Sequence, residues 1–86
     1  MKVLELRDIQ QEEGYIYYRK KFFSTALIEI PQKNIEVPLV FIIETEPTGK
    51  KNVEITLQSS IDYPVLPVIK ALKEKISEYD REGLLH

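Results

Sequence analysis

There is no cysteine among the 86 residues, so no disulfide can brace the fold and no thiolate is available for nucleophilic or metal chemistry. The single histidine, His86, is the last residue, where nothing orients it as a general base. Ser24, Ser59, Ser60 and Ser77 therefore have no histidine partner within the chain. Three scattered glycines form neither a P-loop nor a GxGxxG phosphate cradle. The longest apolar run, Val37 to Ile43, falls far short of the roughly 20 residues a membrane helix needs. The first residues, MKVLELRDIQQEEG, carry acids early and no apolar stretch of signal-peptide length. These absences lead to the expectation of a cytoplasmic protein that is not an enzyme, binds no metal or cofactor, and keeps away from membranes.

With 86 residues the chain suits one small α+β domain spanning 1–86. A domain of this size buries only about 60–65% of its unfolded surface. Without disulfides or a structural metal, good packing or a second subunit must stabilise it. Hydrophobic residues are 43% and charged residues 30%, a globular and not a disordered composition. The net charge of −2 rules out a globally basic nucleic-acid binder. Residues 1–34 carry +1 and residues 35–86 carry −3, so any basic function must be local.

One stretch is locally basic and aromatic. YIYYRKKFF, residues 15–23, holds five of the eight aromatic side chains around Arg19, Lys20 and Lys21. A two-residue period over 15–30 places Ile16, Tyr18, Phe22, Ala26, Ile28 and Ile30 on one face, interrupted by Lys20. Tyr15, Tyr17, Arg19, Lys21, Phe23, Thr25, Leu27 and Glu29 fall on the other. A helical period through Tyr15, Tyr18, Phe22, Ala26 and Ile30 also fits, but the crowding of aromatic and β-branched residues favours a strand. Sixteen residues are long for a strand, so a bulge is expected near Arg19–Lys21.

The remaining pattern is simpler. Residues 2–9 read as a strand with Leu4 and Leu6 on one face. PQKNIEVP reads as a loop framed by Pro31 and Pro38. Residues 39–46 form a strand apolar on both faces, as befits an inner strand or a dimer seam. Glu46 to Lys51 is a hairpin turn with Pro47 and Gly49, and 52–58 alternate cleanly around Val53, Ile55 and Leu57. After SSIDYP a helix is expected from about Pro67, or from Pro64 with a tight opening turn, to Arg81. Its stripe is Val65, Ile69, Leu72, Ile76 and Tyr79, with Val68 at the edge and Gly83 as terminator.

The expected architecture is β-β-β-β-α: a four-stranded antiparallel meander with one C-terminal helix on one face. That topology is similar to those of the transcriptional coactivator PC-four, the Whirly proteins and the Pur repeats. The likeness implies single-stranded nucleic-acid binding on a sheet surface. No motif of theirs stands in these residues, so no site residue is carried over.

One helix leaves the second sheet face uncovered, and an aromatic outer face marks an interaction surface. The candidate surface is Tyr15, Tyr17, Arg19, Lys21 and Phe23. It points first to a non-catalytic interaction module acting as a homodimer, with an unnamed partner. The alternative is a single-stranded nucleic-acid-binding protein that stacks bases on the aromatics and holds phosphates with the cations. Lys50 and Lys51 would extend such a patch. Two acidic pairs, Glu12 with Glu13 and Glu44 with Glu46, read as solvated edges, although the second pair could share a cation. The prolines around Tyr63 and Leu66 read as a stiff crossover rather than a docking element.

Overall fold

The computed structural model describes residues 1–14 and 16–85; Tyr15 and His86, both singled out above, lie outside the described residues. Four strands, β1 (Lys2–Gln11), β2 (Arg19–Ile30), β3 (Lys33–Thr45) and β4 (Lys51–Leu57), precede one helix, α1 (Val65–Arg81). The strands pair antiparallel in sequence order, β1-β2-β3-β4, as the alternation of the sequence implies.

β2 and β3 form the long centre of the sheet, in unbroken register from Arg19↔Glu44 to Ile30↔Lys33. The segment read as a loop, PQKNIEVP, is thus a tight turn followed by strand. Pro31 takes the first central position and Gln32 the second, at φ 79°. Proline followed by positive φ has the signature of a type II turn.

Pro38 sits within β3 because of where β4 stops. Its carbonyl accepts the Gln58 N–H at 2.9 Å, so the edge lacking a donor also faces β4, whose ladder ends at Leu39↔Leu57. No hydrogen bond toward β2 is lost.

The expected bulge is absent from the β2–β3 ladder. Register shifts occur instead in β1, between Val3 and Glu5 and between Arg7 and Gln10. The first shift replaces the expected Leu4/Leu6 face with Val3 and Leu6, both buried, and leaves Leu4 half-buried. At the second, Asp8 takes φ 51°, a left-handed conformation that aspartate tolerates better than most residues.

α1 begins at Val65, with Pro67 third in its first turn, where no intrahelical acceptor awaits an N–H. It ends in a Schellman motif: Gly83, at φ 70°, donates to the Asp80 carbonyl and Leu84 N–H donates to that of Tyr79. Val68, Leu72 and Ile76 are fully buried, whereas Val65 is 49% exposed, so the stripe is centred on Val68 and not on Val65. The helix backbone approaches β1 and β4 and not the two central strands, so the sheet curls around it. Val3, Leu6, Phe22, Ala26, Ile28, Val37, Leu39 and Phe41 fill the space between, and the Phe22 and Phe41 rings stack at 5.0 Å.

The one buried polar residue among those described, Ser24, donates to the Arg7 carbonyl at 2.7 Å. Tyr79 Oη accepts the Leu6 N–H at 3.2 Å, tying the helix to the β1 edge. Lys51 Nζ donates to Asp80 Oδ2 at 2.6 Å, tying it to β4. Ile61 and Tyr63 pack against the core, as a stiff crossover would. Among the described residues no helix is long and apolar enough to cross a membrane.

Candidate interaction surface

β2 begins at Arg19, so the first four residues of YIYYRKKFF belong to the β1–β2 connection and not to a strand. Ile16 and Tyr18, expected in the core, are 48% and 49% exposed, and Tyr17 is 75% exposed. The two-residue period fails there because the helix cover has ended: Lys20, on the helix side of β2, is already exposed. Backbone bonds still hold the connection in place. Arg19 N–H donates to the Ile16 carbonyl, and Thr45 N–H donates to the Tyr18 carbonyl at 2.7 Å. The Tyr17 and Tyr18 rings stand perpendicular with centroids 6.0 Å apart.

Arg19, Lys21 and Phe23 do alternate along the open face of β2. Their cross-strand neighbours on β3 are Glu44, Ile42 and Val40. Phe23 is 38% exposed, and Lys21 Nζ lies 5.7 Å from its ring centroid. Tyr17, Arg19 and Lys21 line one hollow of about 330 Å³ together with Glu12 and Glu13. Three of the predicted surface residues are therefore brought together at one end of the sheet, and Phe23 sits farther along it.

The cations of this face already face carboxylates. Arg19 Nε is 3.7 Å from Glu44 Oε2, and Lys21 Nζ is 3.7 Å from Glu12 Oε1. Arg7 pairs with Glu5 and, at 2.9 Å, with Glu36. Its hydrogen bond to Glu5, and then the Glu5 charge, holds the Arg7 guanidinium above its ordinary pKa, so it stays charged. Such exposed pairs contribute at most about 1 kcal/mol each. Their arrangement is more informative than their strength. On this face Arg7, Arg19 and Lys21 lie on β1 and β2, while Glu36, Glu44 and Glu54 lie on β3 and β4. Between the two rows runs a half-exposed apolar strip of Phe23, Leu27, Pro38, Val40 and Ile42.

Val40 and Ile42 were legible as strand residues apolar on both faces. What hid their place beside Phe23 was the unrecognised Pro31–Gln32 turn, which sets the β2–β3 register. Lys51, considered as an extension of a basic patch, is engaged with Asp80.

One family model, that of the BB_0187 family, matches residues 1–81. The chain belongs to that family. No curated protein and no solved structure matches the chain. The family match takes in all four strands and the whole of α1, so the surface described above lies within the matched region. Among the described residues, no group of three or more His, Cys, Asp or Glu side chains is placed to hold a metal ion.

Proposed function

We propose that the protein is a non-catalytic interaction module that works as a homodimer, the open sheet face of one copy covering that of another. The observation that carries this reading is the self-complementary charge of the face. A two-fold axis parallel to the strands, between β2 and β3, sets β1 over β4 of the second copy and β2 over its β3. The cationic row of each copy then meets the anionic row of the other, and the two apolar strips meet at the centre. Sheets packed this way lie about 10 Å apart at roughly −30°.

The size of the face supports the same reading. The chain extends 42 × 24 × 22 Å, and its broad side offers area on the order of 800 Å², the share each partner gives to a standard interface. An apolar centre with a charged rim also matches the usual anatomy of such interfaces. Single-stranded nucleic acid is disfavoured as the occupant. Its phosphates would have to displace carboxylates from Arg7, Arg19 and Lys21, and they would lie against Glu36, Glu44 and Glu54.

Two measurements test the reading. Sedimentation equilibrium should show reversible self-association that weakens in the Ile42→Glu variant while circular dichroism stays unchanged. An oligonucleotide retained by the wild-type protein at low salt and released with a slope near −0.7 per phosphate contact would instead favour the nucleic-acid alternative.

A further inference from the structure

At the end of the sheet, the β1–β2 connection and the β3–β4 turn enclose a second hollow, distinct from the apolar strip. It has a volume of about 640 Å³ and is lined by Tyr17, Tyr18, Glu44, Thr45, Glu46, Pro47 and Gly49. Local bonding builds both of its walls. The Thr45 N–H to Tyr18 carbonyl bond pins the tyrosine segment to the end of β3. On the other side, Gly49 N–H donates to the Glu46 carbonyl at 2.8 Å and Glu46 N–H donates to that of Lys50, closing a turn with Pro47 second and Gly49 at φ 91°.

The lining combines two perpendicular tyrosine rings and a proline with two glutamates. Glu44 is shared loosely with Arg19, and Glu46 has no ion-pair partner among the described residues. A ring face attracts a cation through its quadrupole, and a carboxylate beside it adds net charge. A flat guanidinium meets both demands, stacking on an aromatic face while its N–H groups reach a carboxylate.

We propose that this cleft binds an arginine side chain of a peptide partner, with Tyr17 and Tyr18 as the stacking walls and Glu46 as the anionic partner. The site is built within one chain, so it stands or falls independently of the dimer. A peptide source suits a cleft that is open at the surface and flanked by exposed backbone at the turn.

The test is a titration of the full-length, isotope-labelled protein with N-acetyl-arginine amide, which mimics a peptide residue, followed by amide shifts. Saturable shifts at Tyr18, Thr45 and Gly49 are expected. The uncharged isostere N-acetyl-citrulline amide should give weaker binding by at least about fivefold. Tyr17→Ala and Glu46→Gln change exposed residues and should each weaken arginine binding about two- to fivefold while leaving the rest of the spectrum in place. Citrulline binding as well as arginine, arginine shifts that never saturate, or unchanged affinity in both variants would each overturn the proposal. Tighter binding of free arginine than of its blocked form would overturn the peptide assignment.

Discussion

The two faces of the β2–β3 pair are built from alternate residues of the same two strands, yet they obey different rules. Toward the helix stand Phe22, Ala26, Ile28, Val37, Leu39 and Phe41, each at most 1% exposed. Away from it stand Phe23, Leu27, Val40 and Ile42, half-exposed and interleaved with Arg19, Lys21, Glu36 and Glu44. The first face is sealed by a single chain, and Ser24 is its one buried polar group among the described residues. The second is nearly as apolar at its centre, but its charges are sorted by sign across the sheet. A merely solvated face has no need of an apolar strip or of sorted charge; a face that meets its own copy has use for both.

Adjacent residues of β3 separate the two faces most sharply. Phe41→Ala should cost about 3–5 kcal/mol in urea unfolding, because a large ring leaves a closed core and its stacked partner Phe22 loses contact. A cost below about 1 kcal/mol would mean that the helix does not seal this face. Ile42→Glu, one residue on, should leave the monomer folded and raise the dimer dissociation constant by at least about tenfold. Retained dimerisation would move the interface elsewhere.

The placement of the two-fold axis can be sharpened with cysteines, since the wild-type chain has none. Gln10 and Thr56 lie at the same level of the open face, at its opposite edges, across Phe23 and Val40. A short bismaleimide should join Gln10→Cys chains to Thr56→Cys chains in a mixture, and neither variant to itself. Self-linking of Gln10→Cys would indicate an axis across the strands. The smallest effect is at the turn that joins the two central strands. Gln32→Gly relieves a non-glycine residue at φ 79° and should stabilise the fold by about 1 kcal/mol in thermal unfolding. It should leave the dimer constant unchanged.

Much of this architecture was legible in the sequence where periodicity is strong. The alternation of Val53, Ile55 and Leu57, the stripe ending at Ile76 and Tyr79, and the terminator Gly83 all point to the elements that form. The rest depended on tertiary context. Pro38 reads as a strand breaker until the end of β4 shows that its missing donor is not needed. Ile16 and Tyr18 continue the apolar period of β2, but no helix lies above them, so they are exposed. Within β1, a register shift exchanges Leu4 for Val3 on the buried face, a change that local sequence does not signal. Of the predicted surface, Arg19, Lys21 and Phe23 share the open face, Tyr17 belongs to the connection, and Glu44 and Glu46 gain their interest only once the turn sets them beside the tyrosines.

The most direct test of the covered open face is the mass of the wild-type protein measured by sedimentation equilibrium across a wide range of concentration. The account predicts a concentration-dependent rise from 10.1 kDa toward twice that value, weakened by added salt. A mass of 10.1 kDa at every concentration would contradict it.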